Sequence, residues 1–306
     1  MEKYVTNTQD LTPIEYHNNI CFKRDDLYQP YEDLPINGSK VRQHQWIKDA
    51  NASHIVTECD NKVYSALFLS SCQSAVIARV YRDLNTDVTI FHGGTNLESI
   101  KKNKIALNAV VNKAKIDVHL KSGYASVLKG EINKRKESGE KFFNVSLEEY
   151  AEQDAAMLWT TAHQVQNLPK LDTLYVPSGS GLTLIGVLMG LLAYNIPVNK
   201  VVGLNISGRE NSKILTTVCK YTDRDINDVL PFEFIQVPIT IPYHKRVKYT
   251  VDLGFSLDSI YEAKAYLKML EIYNPEENNG FWVSGNMDPI RDKVYNLKKT
   301  LQEVSQ

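Results

Sequence analysis

The feature that most constrains the fold of this chain is an apolar segment, a loop of glycines and hydroxyls, and a second apolar segment. Residues 174–191 read LYVPSGSGLTLIGVLMGL. This pattern predicts a buried strand, a tight loop and a buried helix that begins near Thr183. The N–H groups of a helix's first turn, together with the helix dipole, bind anions, and glycines let the backbone approach a phosphate closely. The stretch therefore predicts either an anion site or a plain strand–turn–helix connection, because it has neither a Walker lysine nor the spacing of a dinucleotide fingerprint.

Strand-like and helical segments alternate along most of the chain. The strand-like runs lie at residues 65–69, 88–91, 116–120, 142–145, 174–176, 201–206 and 280–283. Alternation of this kind indicates an α/β fold in which helices cover both faces of a mostly parallel sheet. A chain of 306 residues is long enough for one large or two modest domains.

The composition argues against several functional classes. A hydrophobic content of 43% is that of an ordinary globular protein, and a net charge of -1 gives no electrostatic reason to expect nucleic acid or anionic membrane as a partner. The longest apolar run, 182–194, is too short to span a bilayer. The four cysteines are scattered without metal-ligand spacing, so we expect no metal site and a cytoplasmic protein with reduced thiols.

Four stretches, taken in order, carry a family resemblance. They are 22–27 (FKRDDL) followed by 37–42 (NGSKVR), then 70–75 (SSCQSA), 178–183 (SGSGLT) and 257–264 (LDSIYEAK). Their order and spacing resemble those of the pyridoxal-phosphate enzymes of the tryptophan-synthase β-like fold, called fold type II. The branch that they resemble contains 1-aminocyclopropane-1-carboxylate (ACC) deaminase and D-cysteine desulfhydrase.

The resemblance implies a fold and a domain arrangement. It implies two doubly wound α/β domains with parallel-rich sheets and an active site in the cleft between them. Residues 1–45 and 155–306 would form the large cofactor-binding domain, and residues 46–154 a smaller inserted one. By the same analogy the protein would be a homodimer that binds pyridoxal 5′-phosphate.

The resemblance also implies roles for particular residues. Lys40 falls where the family lysine holds the cofactor as a Schiff base, and Ser39 stands where the family usually has Asn. Glu262 would lie beside the pyridine nitrogen and keep it protonated, which strengthens the electron sink. Tyr261 and Ser74 match substrate-facing positions with hydroxyls. The remaining cofactor-binding positions are Gln73 and the phosphate residues Ser178, Gly179, Ser180, Gly181, Leu182 and Thr183.

These assignments predict a lyase or deaminase that acts on a small amino acid or a similar amine. Three alternatives stay open: a β-replacement synthase of the same fold, a catalytically silent relative, and a sugar- or nucleotide-phosphate-binding protein that uses the loop without Lys40. Ala75 favours the silent relative, because the family has there an Asn that binds the cofactor ring oxygen. Residues 54–61 are expected to be an insertion, and Asp60-Asn61 is a rival placement of the second motif.

Overall fold

The computed structural model describes residues 11–67, 71–93, 98, 102–119, 125–145, 151–208, 210–225, 230–249 and 252–292. The strands are β1 Ile14–His17, β2 Ile20–Arg24, β3 Lys62–Leu67, β4 Asp87–Gly93, β5 Lys115–His119, β6 Phe143–Asn144, β7 Leu171–Ser178, β8 Val198–Asn205, β9 Glu233–Pro238 and β10 Asn279–Val283. The helices are α1 Ser39–Glu58, α2 Gln73–Arg82, α3 Lys104–Val111, α4 Ala125–Glu137, α5 Ala151–His163, α6 Leu182–Tyr194, α7 Lys213–Thr222, α8 Glu262–Ile272 and α9 Asp288–Arg291. Short 3₁₀ turns follow β2 and α5.

The chain divides into two compact units. The first contains Met1–Asp33, Asn37–Gln43 and Ala155–Asn286, and the second contains Leu34–Ile36, His44–Asp154 and Met287–Gln306. The sequence predicted boundaries near residues 45 and 154. α9, which that prediction assigned to the large domain, lies in the second unit and packs on α3.

The first unit is built on a six-stranded sheet in the order β1-β2-β10-β7-β8-β9. Neighbouring strands are parallel except β1 and β2, which form an antiparallel pair. One hydrophobic cluster joins the sheet to α5, α6 and α7, and another joins it to α8. Gly186 and Gly190 bring α6 close to α5, since a Cβ on Gly186 would lie 2.8 Å from the Leu158 carbonyl oxygen. The sheet thus has helices on both faces, as predicted.

The second unit is built on a four-stranded sheet in the order β5-β4-β3-β6, in which all pairs are parallel. Buried Tyr64, Phe91 and Ile132 pack the sheet against α4. Residues 54–58, part of the stretch predicted to be an insertion, form the last part of α1. Asp60 and Asn61 form the left-handed turn that precedes β3, with φ of 50° and 57°.

Candidate active site

The glycine and serine loop lies where β7 ends and α6 begins, close to the predicted helix start. Gly181 has a φ of +98°, and no side chain caps α6. The backbone N–H of Ile185 donates to the Gly181 carbonyl at 2.8 Å, so the N–H groups before it belong to the unsatisfied first turn. Leu182 and Thr183 are half-buried and Ser180 is exposed. This end of α6 can therefore receive an anion.

Ser178 contributes a hydroxyl that its own protein surroundings do not satisfy. The residue is 1% exposed, and its Oγ has no hydrogen-bond partner among the described residues. A buried polar atom left unpaired costs roughly 1–3 kcal/mol, which an additional ligand in hydrogen-bond reach would offset.

An amide network that the sequence did not predict supports the loop from behind. The side-chain amide of Asn211 donates to the Ser180 carbonyl at 3.2 Å. The Gln236 side chain accepts from the Asn211 backbone N–H at 2.9 Å and from the Asn205 amide at 2.8 Å. A Cβ on Gly181 would lie 2.9 Å from Asn211 Nδ2. Neighbouring strand ends thus determine the loop conformation.

The start of α1, which carries Lys40, is fixed to the end of β10. The Ser39 backbone N–H donates to the Ser284 carbonyl at 2.8 Å, and the Asn286 N–H donates to Asn37 Oδ1 at 2.7 Å. Gly38 has a φ of +89°, and a Cβ there would lie 2.7 Å from Gly285 Cα. Only glycine allows this close approach without strain. Lys40 itself is half-buried in the first turn of the helix.

A buried ion pair between the stretches 22–27 and 37–42 also holds the start of α1 in place. Arg42 contacts both carboxylate oxygens of Asp25, at 2.9 and 3.3 Å, and both residues are almost fully buried. Lys23 Nζ donates to the Thr12 carbonyl at 2.6 Å, and burial lowers the pKa of its amine to about 8. The Arg42–Asp25 ion pair therefore connects the 3₁₀ turn after β2 with α1.

Glu262 lies in the first turn of α8 and is 2% exposed. Burial raises the pKa of its carboxyl well above the ordinary value, and Asp258 and Asp26 act in the same direction because they are also carboxylates. The nearby Ser284 hydroxyl lowers the pKa of Glu262, although the two groups do not meet hydrogen-bond geometry. Like Ser178 Oγ, Ser284 Oγ is buried without a hydrogen-bond partner among the described residues. Asp258 also accepts from the Tyr261 N–H at 3.0 Å, which fixes the turn before α8.

Tyr261 connects the Glu262 carboxyl to the glycine and serine loop at residues 178–183, called the phosphate-type loop below. A Cβ on Gly179 would lie 3.0 Å from Tyr261 Cε2 and 3.1 Å from its Oη, so the ring lies directly against the loop backbone. The first unit therefore brings together Lys40, residues 178–183, Tyr261 and Glu262. Three neighbouring pairs link them, which are Ser39 with Ser284, Ser284 with Glu262, and Tyr261 with Gly179.

The other two predicted residues, Gln73 and Ser74, lie in the second unit at the start of α2. This helix follows the carboxyl end of β3, where open α/β sheets bind ligands. Asp60 and Asn61 lie at the opposite end of that strand, so the structure favours the original placement of the second motif. Ser70 of the motif lies outside the described residues. Ala75 of the motif is fully buried.

The residues present fit pyridoxal phosphate. An uncapped helix start with an unpaired buried Ser178 hydroxyl suits a phosphate. The buried Glu262 carboxyl, with two further carboxylates near enough to raise its pKa, suits a ring nitrogen that carries a proton. Lys40, in the first turn of α1, places an amine on the same unit. Ser284, Asn211 and Gln236 join the site as residues that no sequence motif had indicated.

The part of the chain that the structure describes also bears on metal sites and membrane spans. There, no group of three His, Cys, Asp or Glu side chains could hold a metal ion. No helix in the described ranges has the length and apolarity needed to cross a membrane.

Comparisons with known proteins identify the fold. No protein-family model and no curated protein matches this sequence. The crystal structure of an ACC deaminase homologue is 20% identical with a TM-score of 0.70, and covers 98% of this chain and 95% of its own. A hydrogen sulfide-producing enzyme from Fusobacterium nucleatum is 14% identical with a TM-score of 0.59 and coverages of 90% and 94%. A pyridoxal 5′-phosphate-dependent aspartate racemase is 10% identical with a TM-score of 0.54 and coverages of 88% and 85%. The chain therefore has the fold of the fold type II pyridoxal-phosphate enzymes, which confirms the predicted fold class.

Proposed function

We propose that this protein is a pyridoxal-phosphate-dependent lyase or deaminase that acts on a small amino acid or a similar amine. The observation that carries the proposal is the buried carboxyl of Glu262, which lies on the same unit as Lys40 and the phosphate-type loop. Its surroundings in the protein raise its pKa. A carboxyl in such surroundings is costly to keep unless a positively charged ligand group faces it.

Each part of this site would hold a different part of the cofactor. The first-turn N–H groups of α6 and the Ser178 hydroxyl would bind the phosphate, and Asn211 would keep the loop in shape. Glu262, with Ser284 beside it, would hold the ring nitrogen in its protonated form. Lys40 would link covalently to the aldehyde through its side-chain amine.

When bound, pyridoxal phosphate supplies an electron sink that stabilises a carbanion at the substrate's α-carbon. The chain's own residues would then handle protons and orientation. Once the substrate amine has replaced it, the Lys40 amine can move a proton to or from the substrate. Tyr261, held against Gly179, and Ser74 in the second unit would bind the substrate carboxylate or act as acid or base.

The structural neighbours support elimination or deamination, since an ACC deaminase homologue and a hydrogen sulfide-producing enzyme share the fold over almost the whole chain. The carboxylate at 262 favours the same chemistry, because a protonated ring is the stronger sink. A β-replacement synthase would need a second, nucleophilic substrate.

The test is a screen of the cofactor-loaded protein with D- and L-amino acids and with cyclopropane amino acids. We expect release of ammonia, a 2-oxo acid or sulfide from at least one of them, without an added nucleophile. Turnover only after a thiol or another nucleophile is added would indicate a synthase instead.

The fully buried Ala75 favours a second candidate, a silent relative that binds the cofactor without turnover. A yellow protein that releases no product from any amino acid, and whose absorbance no amino acid changes, would support that candidate and exclude the lyase.

A further inference from the structure

A buried serine–histidine pair in the second unit has a geometry that suits proton transfer. Ser74 lies near the start of α2 and His92 near the end of β4. Ser74 Oγ and His92 Nε2 are 3.4 Å apart, and both residues are fully buried. This burial shields the hydroxyl proton from competition by bulk water.

The other ring nitrogen fixes the direction of this hydrogen bond. His92 Nδ1 lies 2.7 Å from the Leu67 carbonyl oxygen, which can only accept. Nδ1 must therefore carry the hydrogen of the neutral ring, which leaves Nε2 with a lone pair. The Ser74 hydroxyl is then the donor. Leu67 and His92 are partners in the register of β3 and β4, so the sheet itself holds the ring in this orientation.

Burial keeps the ring neutral in the resting protein. Desolvation lowers the pKa of His92, and the hydrogen bond to the Leu67 carbonyl offsets only part of this effect. The Nε2 lone pair is thus available at neutral pH, as a hydroxyl activated by a neighbouring base requires.

We propose that His92 is the proton acceptor for the Ser74 hydroxyl during the reaction. The proposal rests on the function proposed above, in which Ser74 faces the substrate. As Ser74 Oγ takes the proton from the substrate's carbon, the hydroxyl proton passes to Nε2, and the electrons of the broken C–H bond stay on that carbon. The imidazolium formed keeps its hydrogen bond to Leu67, and the reverse transfer restores both groups. His92 acts through Ser74 and is therefore a positioning residue.

The kinetic test compares the cofactor-loaded wild type with Ser74→Ala, His92→Gln and the double variant. The glutamine oxygen can accept a hydrogen bond from Ser74 but cannot take up its proton. We expect kcat to fall about 100-fold or more in each single variant, with KM little changed. The double variant should fall no further than Ser74→Ala, because residues that act as one unit are not additive. His54→Gln, in an exposed part of α1, is the matched control and should keep wild-type kcat.

A second readout needs neither activity nor a histidine variant. Nitrogen-15 NMR of the cofactor-free protein should show His92 protonated on Nδ1, and Ser74→Ala should shift its Nε2 resonance and leave His54 unchanged. An Nε2-protonated ring, a wild-type kcat in His92→Gln, or additive effects in the double variant would each overturn the proposal. A wild type that takes up no pyridoxal phosphate would overturn the proposed function itself, and absorbance reveals that outcome separately.

Discussion

At the scale of single residues, Glu262 matters most, because its surroundings disfavour a charged carboxyl unless a positively charged ligand group lies beside it. Burial and two neighbouring carboxylates raise its pKa, so the carboxyl is protonated more readily in the folded chain than in the unfolded one. Its negative form, which the proposed role requires, is unfavourable until a cation arrives. This is a cost in stability that the proposed function explains.

Glu262→Gln should therefore stabilise the cofactor-free protein at neutral pH. The folded-state pKa lies above 4.5, so the carboxyl's contribution to stability is complete below 4.5 and is lost as the pH rises toward the folded-state pKa. The gain of the variant over wild type should be small near pH 4.5 and grow by about 1.4 kcal/mol for each pH unit up to the folded-state pKa, above which it stays constant.

Urea unfolding of both proteins at several pH values measures this gain. Glu276→Gln, at an exposed carboxyl, is the control and should show no comparable trend. A Glu262→Gln protein that is less stable than wild type at neutral pH would show that a cation already pairs with this carboxyl.

The loop conformation could be predicted from its residue types, whereas the roles of Lys40 and Glu262 follow from the family resemblance of contiguous motifs and stay predictions. Ser284, Asn211 and Gln236 could not be predicted in that way. They reach the site through strand pairing and loop contacts that join distant parts of the chain, and serine, asparagine and glutamine are common elsewhere for unrelated reasons. The pairing of His92 with Ser74 could not be predicted either, since the two residues are 18 positions apart in the sequence.

At the scale of elements, the loop between β7 and α6 depends on the amide network behind it. Asn211→Ala removes two side-chain hydrogen bonds, one to the Ser180 carbonyl and one from the Lys213 backbone N–H, but keeps the backbone contacts with Gln236. We expect a loss of about tenfold or less in affinity for inorganic phosphate and for pyridoxal phosphate, because only the hydrogen bond to Ser180, of about 1 kcal/mol, supports the loop directly. Calorimetric titration measures both affinities.

The control for this prediction is Asn199→Ala, because Asn199 makes a similar exposed amide contact, with Asp172, at the other end of β8. It should bind both ligands as wild type does. An Asn211→Ala protein with unchanged affinities would mean that the loop keeps its shape without the network.

The turn before α1 is the second element with a clear expectation. Gly38→Ala would place a Cβ against the backbone of Ser284 and Gly285 at a φ of +89°. We expect a loss of more than about 1 kcal/mol in the free energy of unfolding, because the left-handed conformation alone costs roughly that much. Gly130→Ala, in α4 with open space around it, should instead be neutral or slightly stabilising. Denaturant unfolding distinguishes the two.

Most elements could be predicted from apolar runs, and the failures have physical reasons. β1 is half-buried and lies in a polar segment, and β9 has no fully buried residue, so neither shows the apolar signal of the central strands. β3 begins at Lys62, before the run that predicted it, because the sheet pairs it with β4 from that residue. The extension of α1 to Glu58 was missed because its residues are mostly polar.

At the scale of the whole molecule, cofactor binding should stabilise the folded chain. A ligand at 100 times its dissociation constant adds about 2.7 kcal/mol to the free energy of unfolding if it binds only the native state. Thermal unfolding with increasing pyridoxal phosphate should therefore show a rising midpoint. Pyridoxal without the phosphate should raise it much less, because the loop at 178–183 would have no anion to bind. Equal effects of the two compounds would place the phosphate elsewhere.

The central claim is that the Lys40 amine holds the cofactor, and one measurement tests it most directly. The wild type is loaded with pyridoxal phosphate, reduced with borohydride, digested and mapped by mass spectrometry, with Lys40→Ala treated in parallel. We predict a yellow wild type that loses its colour on reduction, a phosphopyridoxyl group on Lys40, and a colourless Lys40→Ala protein. A label on another lysine, or an unlabelled Lys40 in a protein that has bound the cofactor, would contradict the account.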